Sequence, residues 1–273
     1  MVKSYAKINL SLDVVSKRED GYHNIASIMQ RIDIYDEMEI EKSDVFKFFS
    51  DMELPDENTV TKAYKIITEY IGRELPVGIK LYKKIPTGAG LAGGSANAAT
   101  LFEEINRIYN LNLNTDELRE LGVKVGADVP FMIGGKTALC EGIGEAITDL
   151  DIDFKKLKAL IVNPGFEVSS NEVYSNMNLK VDRVDFNSLI YALRNENLVE
   201  ISKYLRNDME DFVFKKYIEV ENIKKEILKY TSATLMSGSG STVYGLFDNE
   251  EALMKAYNNF REIYKNTYMV NLI

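Results

Sequence analysis

Large aliphatic residues recur at every second position in the first part of the chain, which predicts β-strands. The clearest case is residues 5–15, a half-buried strand in which apolar side chains alternate with polar ones. A polar turn, SKREDGYHNIAS, follows this strand and contains an Asp-Gly pair typical of turns. Shorter apolar stretches at 28–34, 37–42 and 45–49 predict further strands, joined by hairpins.

Three- and four-residue spacing of apolar positions replaces the alternation further along, and it predicts helices at 58–71 and 114–125. The segment after the second helix, GADVPFMIGG, is too irregular for a strand and too apolar for an exposed linker. It is therefore predicted to be a buried loop. A strand at 136–141 and a turn at GIGE follow it.

The second half of the chain repeats this mixture of strands and helices. Predicted strands lie at 157–162, 234–236, 242–247 and 267–272. Predicted helices lie at 169–174, 185–194, 196–206, 217–230 and 249–264. Because strands and helices intermingle throughout, the fold class is α+β or α/β. The highly charged stretch DLDIDFKK marks the predicted boundary between two domains, residues 1–152 and residues 153–273.

A strand, a glycine-rich loop and a helix follow one another between residues 77 and 109. Pro86 ends the strand, and Ser95 is the predicted N-cap of the helix. The loop between them holds four glycines, Gly88, Gly90, Gly93 and Gly94. Glycines let several N–H groups turn toward one point, where the positive end of the helix dipole favours an anion. We therefore predict a phosphate site here rather than a turn without a ligand, although the loop matches neither the Walker A motif nor the dinucleotide-binding motif.

The net charge of −9 argues against broad binding to nucleic acid or to an anionic membrane. No apolar run approaches the length of a membrane-spanning helix, and the N-terminal residues lack the apolar core of a signal peptide. The single cysteine, Cys140, excludes an internal disulfide and a cysteine metal cluster, and it is expected in the core. The sequence thus predicts a cytoplasmic protein and leaves its oligomeric state open.

Four polar features outside the glycine loop are candidates for chemistry. Lys7 and Asn9 point the same way on the first strand, although a lone lysine on a strand is usually only solvated. His23, the only histidine, lies in a turn, where a surface role is the commoner one. Asp128 lies in an apolar loop, and burying a carboxylate requires a partner or a function. The loop SGSGS is by itself as consistent with a tight turn as with a ligand contact.

Taken together, these motifs resemble the GHMP kinases, the superfamily of galactose, homoserine, mevalonate and phosphomevalonate kinases. The resemblance runs in order along the whole chain, in the segments AKINLSLDVVSKREDGYH, PTGAGLAGGSANAA, GADVPF and SGSGSTVY. It implies a two-domain α+β fold, with a ribosomal S5 domain 2-like N-terminal domain, a ferredoxin-like C-terminal domain and the site in the cleft between them. It also implies an enzyme that transfers the γ-phosphate of ATP to an alcohol.

The DGYH motif resembles the branch of this family that phosphorylates a cytidine-diphosphate methylerythritol, on the non-mevalonate route to isoprenoids. Three alternatives stay open: another small-molecule kinase of homoserine or mevalonate type, a non-catalytic nucleotide sensor on the same fold, and a purely structural glycine-rich protein. The sequence also departs from the family pattern. Ala96 stands where a second hydroxyl residue is common after the glycines, and Ser16 stands where a glycine is usual. Neither departure removes a catalytic group.

The resemblance assigns roles residue by residue. Lys7 and Asp128 match the catalytic pair of the family. In this pair the aspartate orients or deprotonates the attacking hydroxyl, and the lysine keeps the aspartate ionised. The predicted substrate contacts are Asn9, Tyr22, His23, Ser170 and Tyr174. The tyrosines would stack on the cytosine base, and the histidine would bind its edge.

The resemblance also implies which residues contact ATP. These predicted contacts are Asn58, Lys84, Pro86, Gly88, Ala89, Gly90, Leu91, Ala92, Gly93, Gly94, Ser95 and Asn97. Mg²⁺ is expected to offset the charge of the ATP phosphates. No residue is assigned as a ligand of the metal.

Overall fold

Two β-sheets, of six and four strands, form the framework of the protein, and the computed structural model describes residues 1–273. The strands are β1 (Val2–Lys17), β2 (His23–Lys42), β3 (Lys47–Ser50), β4 (Val77–Tyr82), β5 (Thr137–Gly142), β6 (Ala146–Asp149), β7 (Lys158–Asn163), β8 (Thr234–Met236), β9 (Val243–Phe247) and β10 (Asn266–Asn271). The helices are α1 (Thr59–Ile71), α2 (Gly93–Tyr109), α3 (Thr115–Val123), α4 (Val129–Met132), α5 (Ser170–Asn176), α6 (Phe186–Arg194), α7 (Leu198–Tyr204), α8 (Glu210–Lys216), α9 (Ile218–Ile227) and α10 (Glu250–Arg261). None of these helices combines the length and the apolar character that crossing a bilayer requires.

The long strand β2 is the centre of the first sheet. β1 pairs antiparallel with one edge of β2, while β4 and β5 share the other edge, pairing with residues 37–42 and 25–30. β3 adds parallel to β4, and β6 adds antiparallel to β5. The predicted strands at 28–34 and 37–42 are therefore one continuous strand. The predicted hairpin to the stretch at 45–49 is also wrong, because β3 pairs with β4 rather than with β2.

Asp36 explains why the sequence pattern suggests a break within β2. It occupies an inward-facing position of the strand and is fully buried. Its carboxylate accepts hydrogen bonds from the backbone N–H groups of Lys84 (2.7 Å) and Ile85 (2.8 Å), and it forms an ion pair with Lys83. A buried acid with all these partners thus replaces an apolar residue without ending the strand.

The second sheet has the strand order β10-β7-β9-β8, and all of its pairs are antiparallel. Helices lie between β7 and β8 and between β9 and β10, which gives the β-α-β-β-α-β arrangement of ferredoxin-like folds. The predicted α+β class with a ferredoxin-like C-terminal part is confirmed. The predicted boundary between residues 152 and 153 falls between the two sheets and stays a prediction.

Three helices differ from the sequence-based expectations. The segment predicted as a buried loop contains the short helix α4, which has too few residues to show a helical period. Helix α2 begins at Gly93 rather than after Ser95, because Ala92 takes the left-handed conformation (φ 56°) and serves as the N-cap. Helix α8 lies in a segment to which the sequence pattern assigns no element.

The apolar core is shared between the two sheets. One cluster of 43 buried side chains includes Val14 of β1 and Phe247 of β9, and a second cluster, of 22, includes Ile8 of β1 and strand residues of the second sheet. A pairing irregularity between Asn9 and Ser11 changes which side chains of β1 face each cluster. β1 therefore packs into both clusters and also carries polar side chains between them.

Candidate active site

A cavity of about 480 Å³ lies between β1, the glycine loop and the start of α4. The structure brings most of the predicted site residues to its wall. Those on the wall are Lys7, Asn9, Asn58, Pro86, Gly88, Ala89, Gly90, Ala92, Gly93, Gly94, Ser95, Asn97, Asp128, Ser170 and Tyr174. Those outside the wall are Tyr22, His23, Lys84 and Leu91. The roles of these residues stay predictions, and their surroundings follow.

The glycine loop presents backbone N–H groups at the start of α2. Positive φ angles at Gly88 (56°) and Gly90 (75°) turn the chain, and Ala92 ends the turn. The first intrahelical bond at this end runs from the N–H of Ala96 to the carbonyl of Ala92 (2.9 Å). The N–H groups of residues 93–95 have no acceptor within the helix, so an anion at this point would receive their hydrogen bonds.

The SGSGS loop, Ser237–Ser241, packs directly against the glycine loop. A Cβ atom on Gly90 would lie 2.0 Å from the carbonyl oxygen of Ser237, so only glycine allows this approach. The Ser237 hydroxyl donates a hydrogen bond to the carbonyl of Gly90 (2.8 Å). Gly238 and Ser239 belong to the cavity wall. The SGSGS loop therefore forms part of the cavity wall.

Lys7 and Asp128 lie side by side on the cavity wall. The Nζ atom of Lys7 is 3.6 Å from Oδ2 of Asp128. The lysine side chain is 3% exposed and that of the aspartate 33% exposed. Asp128 precedes α4 but makes no capping hydrogen bond with its side chain, so its carboxylate remains available to a ligand. An accessible carboxylate can accept a proton from a bound ligand, and the neighbouring ammonium group favours its ionised form.

Asn9 fixes the position of the lysine. Its Oδ1 atom accepts a hydrogen bond from Lys7 Nζ (2.6 Å), and its Nδ2 atom donates to the hydroxyl of Ser27 (2.8 Å). The backbone N–H of Lys7 donates to the carbonyl of Leu91 (3.1 Å), which ties β1 to the glycine loop. The side chain of Leu91 is buried in the core, so this residue contributes to the site through its carbonyl.

Of two neighbouring lysines, Lys83 lies on the cavity wall, whereas Lys84, the predicted ATP contact, lies outside it. The side chain of Lys84 forms an ion pair with Glu37 (2.7 Å) and is 53% exposed outside the cavity. That of Lys83 is 4% exposed, and its Nζ atom lies 3.3 Å from the position that a Cβ on Gly93 would take. Lys83 therefore places a positive charge beside the start of α2.

Asn97 and Asn58 have clear structural roles next to this lysine. Asn97 donates hydrogen bonds to Asp36 (2.9 Å) and to the hydroxyl of Ser4 (3.0 Å), and it accepts one from Lys83 (3.2 Å). Asn58 is the N-cap of α1, and its Oδ1 atom accepts from two backbone N–H groups of the first turn. Both side chains hold the wall in place, whether or not they also contact ATP.

An aromatic pair borders the cavity. The rings of His23 and Tyr174 stack with their centroids 4.9 Å apart and their planes 17° apart. Tyr174 belongs to the wall, so His23 joins the site through this stack. Tyr22 is 58% exposed. Ser170 lies at the start of α5 and shares a hydrogen bond of 2.8 Å with Ser239.

Burial shifts the pKa values of three groups at or near this site. It raises the pKa of the Cys140 thiol to about 12, and the charge of Asp128 adds to the shift. Burial also raises the pKa of the Tyr174 hydroxyl, again with a contribution from Asp128. The pKa of His23 is lowered by burial and then by Lys17, so the imidazole is neutral at neutral pH and can both donate and accept a hydrogen bond.

Some site residues escape reasoning from the sequence. Lys83 is next to the lysine that the resemblance selected, and Ser237 belongs to a motif whose role was open. Asp36 looks like an interruption of a strand. Only the long-range contacts of these three side chains reveal what they do.

Comparison with known proteins decides the family. Models of the N-terminal and the C-terminal domain of GHMP kinases match residues 58–136 and 189–266. A protein of Thermoanaerobacter pseudethanolicus named 4-diphosphocytidyl-2-C-methyl-D-erythritol kinase is 43% identical over 282 residues, which cover 100% of this chain and 96% of the relative. The chain belongs to the GHMP kinase family. This membership confirms the predicted kinase and implies ATP as its cosubstrate.

Other members agree with this assignment. A protein of the same name from Clostridium beijerinckii is 41% identical over 279 residues, covering 100% of this GHMP kinase and 99% of the relative. A crystal structure of 4-(cytidine 5'-diphospho)-2C-methyl-D-erythritol kinase superposes with a TM-score of 0.83 at 26% identity, covering 98% and 97% of the two chains. A homoserine kinase from Cytophaga hutchinsonii shares the fold, with a TM-score of 0.77 at 19% identity, over 100% of this chain and 96% of the other.

Proposed function

We propose that this GHMP kinase transfers the γ-phosphate of ATP to the C2 hydroxyl of 4-diphosphocytidyl-2-C-methyl-D-erythritol. The observation that carries the proposal is the single cavity in which the start of α2, Lys7 and Asp128 lie together. Relatives with 41–43% identity over their whole length, all with the name of this kinase, support the choice of substrate. The reaction would belong to isoprenoid biosynthesis in the cytoplasm.

The phosphates of ATP would bind at the glycine loop. The free N–H groups at the start of α2 donate to phosphate oxygens, and the helix dipole adds a favourable potential. Lys83 lies beside this point, and its ion pair with the buried Asp36 would keep that carboxylate from repelling the phosphates. Phosphoryl transfer depends mainly on such positioning and charge neutralisation, because the protein makes no covalent bond to the phosphate.

Asp128 would orient the attacking hydroxyl and accept its proton. Its carboxylate is partly exposed on the cavity wall, within reach of a bound alcohol. Lys7 would stabilise the negative charge that develops on the alcohol oxygen as the proton leaves. Asn9 keeps Lys7 in this position through the hydrogen bond between their side chains.

Magnesium would be bound mainly by the phosphate oxygens. The protein contains no cluster of three His, Cys, Asp or Glu side chains arranged for a metal, and Asp128 is the only carboxylate on the cavity wall. Mg²⁺ usually keeps several waters and uses one or two carboxylates together with substrate phosphates. The wall therefore fits a magnesium–nucleotide complex, in which the metal would neutralise phosphate charge.

The cytosine base would bind beside the stacked rings of His23 and Tyr174. The ring of Tyr174 offers a face for stacking, and Tyr22 is exposed nearby in the chain for a second contact. A neutral His23 can bind both a donor and an acceptor on the base edge. Ser170, which also lies on the cavity wall, adds a hydroxyl.

Two alternatives predict different behaviour. A kinase for mevalonate or homoserine has no base to bind and no use for the stacked pair of His23 and Tyr174. A sensor would bind ATP without turnover, and the intact pair of Lys7 and Asp128 argues against it.

The decisive test is a coupled assay of ADP release with the purified protein, ATP and magnesium, offering the cytidyl substrate, mevalonate and homoserine in parallel. We expect turnover of the cytidyl substrate alone. Turnover of mevalonate or homoserine instead would assign the protein to another member of the family. ATP binding without turnover of any of the three would favour the sensor.

A further inference from the structure

A short segment after α7, Arg206–Asp208, is fixed beside the strand that carries Lys7. The backbone N–H of Leu12 donates to the carbonyl of Arg206 (2.7 Å), and the N–H of Asp208 donates to the carbonyl of Leu12 (3.0 Å). These two bonds form a parallel bridge between β1 and Asn207. The carboxylate of Asp208 also accepts from the N–H of Val14 (2.9 Å). The segment therefore has a fixed position relative to the first sheet.

Both polar atoms of the Asn207 side chain form hydrogen bonds inside the protein. It is 2% exposed, and its Nδ2 atom donates to the carbonyl oxygens of Met236 and Gly238, both at 2.8 Å. Its Oδ1 atom accepts from the N–H of Met209 (3.0 Å). The two donated bonds end on the residues on either side of Ser237. They hold the beginning of the SGSGS loop against the segment that β1 anchors.

Ser237 connects the SGSGS loop to two parts of the cavity wall. Its hydroxyl accepts a hydrogen bond from the backbone N–H of Asn9 (3.3 Å) and donates one to the carbonyl of Gly90 (2.8 Å). Asn9 binds the ammonium group of Lys7, and Gly90 belongs to the glycine loop. One hydroxyl thus joins β1, the strand that carries Lys7, to the predicted phosphate loop.

We propose that Asn207 is a positioning residue for phosphoryl transfer. Its amide holds the SGSGS loop so that Ser237 keeps Lys7 and the glycine loop at a fixed separation. Asn207 is not part of the cavity wall, so it acts only through these neighbours. The inference rests on the proposed function, because it concerns the geometry of that reaction. Its physical basis is the sensitivity of a transfer reaction to small displacements of the reacting groups.

The variant that tests this inference is Asn207→Asp. It keeps the shape of the side chain but replaces the donor by an oxygen that faces two carbonyl oxygens. The matched control is Asn106→Asp at the end of α2. Asn106 also donates its amide to a carbonyl, that of Leu113 (2.9 Å), and accepts the N–H of the same residue (3.1 Å). Both changes therefore remove an internal amide, but only the first concerns the SGSGS loop.

In the coupled assay, below the unfolding temperature of each variant, we expect kcat of Asn207→Asp to be about 100-fold below that of the unaltered protein. We expect Asn106→Asp to stay within about twofold. A carboxyl group buried against carbonyl oxygens has a raised pKa, and its protonated form regains one donor. The ratio of variant to unaltered kcat should therefore rise as the pH is lowered from about 8 to about 6. Full activity of Asn207→Asp, or an equal loss in Asn106→Asp, would overturn the inference.

Amide hydrogen exchange gives a readout that does not depend on activity. The N–H of Ser237 donates to Thr242 (2.9 Å) and the N–H of Gly240 to Ser237 (3.0 Å). Asn207→Asp should speed exchange of both amides, and Asn106→Asp should leave them unchanged. Unchanged exchange in Asn207→Asp would refute the inference, whatever the activity of the unaltered protein. Absence of turnover in the unaltered protein would instead reject the proposed function.

A second variant covers the case in which Asn207→Asp does not fold. Ser237→Ala removes only the hydroxyl between Asn9 and Gly90 and leaves Asn207 in place. We expect it to lower kcat about tenfold, because both hydrogen bonds that fix β1 relative to the glycine loop are lost. An unchanged kcat in this variant would also overturn the inference.

Discussion

Two adjacent lysines, Lys83 and Lys84, have opposite surroundings. Lys83 is almost buried and forms an ion pair with Asp36, which is fully buried, whereas Lys84 is half exposed and pairs with Glu37. Removing one partner of a buried pair leaves an uncompensated charge in the interior. An exposed pair is screened by water and contributes little. The ion pairs of these two adjacent lysines are therefore expected to affect stability very differently.

Lys83→Met is therefore expected to lower the free energy of unfolding by about 3–5 kcal/mol. It should also raise KM for ATP, because the start of α2 loses a positive charge. Lys84→Met is the matched control for stability and should leave the free energy of unfolding nearly unchanged, because its ion pair with Glu37 is exposed. Urea denaturation measures the first effect and the coupled assay the second. Similar losses in the two variants would contradict the placement of these lysines.

The sequence identifies this pair of lysines but does not show which of them faces the site. The alternation rule ends with β4 at Tyr82, so it gives no direction for the next two side chains. The direction is set by Asp36, which accepts the N–H groups of Lys84 and Ile85 from another strand. By contrast, the residues aligned by family resemblance, Lys7 and Asp128, do lie together. A family resemblance shows which residues correspond to known site positions. The direction of a neighbouring side chain depends on long-range hydrogen bonds, which only the structure shows.

Cys140 provides a second test at this scale. Burial raises the pKa of its thiol to about 12, so the reactive thiolate is scarce in the folded protein. We expect iodoacetamide at about pH 8 to alkylate the native protein far more slowly than the urea-unfolded protein, in which the thiol has its usual pKa of about 8.5. Mass spectrometry of the two reactions checks this. Equal rates would show that the thiol is accessible.

At the scale of elements, the glycine loop depends on two different properties of glycine. Gly90 and Gly72 both have positive φ, 75° and 72°. Only Gly90 is also in close contact, because a Cβ there would lie 2.0 Å from the carbonyl oxygen of Ser237, whereas a Cβ on Gly72 would meet nothing within 4 Å. The comparison separates backbone strain from steric exclusion.

Gly72→Ala should cost about 1 kcal/mol of unfolding free energy through backbone strain alone, and should leave kcat and KM unchanged. Gly90→Ala forces the SGSGS loop away from the glycine loop. We expect it to raise KM for ATP at least about tenfold, in line with a loss of about 1.4 kcal/mol of binding free energy. Urea denaturation measures the change in unfolding free energy, and the coupled assay measures kcat and KM. An unchanged KM in Gly90→Ala would contradict the packing of the two loops.

The strand, loop and helix of this region can be predicted from the sequence, but their junctions cannot. Ser95 has the right chemistry for an N-cap, yet Ala92 takes that position because its left-handed conformation starts the helix earlier. The loop contact with Ser237 joins segments 147 residues apart, which no local pattern encodes. Helix α4 is likewise too short for a period to be recognised.

At the scale of the whole molecule, the two sheets do not have separate cores. Each of the two apolar clusters contains residues from both sheets, and β1 contributes to both clusters. The mixture of strands and helices predicts the α+β class, and the family resemblance predicts the two-part architecture. The shared core follows from contacts between distant segments, which is why the sequence does not show it.

The shared core predicts cooperative unfolding of the whole chain. We expect one transition in differential scanning calorimetry, with equal calorimetric and van't Hoff enthalpies. An ATP analogue that cannot be hydrolysed should raise the Tm of that single transition. At 100 times its Kd, the analogue adds about 2.7 kcal/mol to the free energy of unfolding. Two separate transitions, with only one shifted by the nucleotide, would mean that the sheets unfold independently.

The central claim is that Asp128 acts on an alcohol next to a nucleotide held at the start of α2. The most direct measurement is kcat and ATP affinity of Asp128→Asn, which keeps the shape of the side chain but removes its charge and its capacity as a base. Asp116→Asn, on the exposed first turn of α3, is the control. We predict that kcat falls by about 10²- to 10⁴-fold in the first variant only, while Kd for ATP changes little. Undiminished turnover in Asp128→Asn would contradict it.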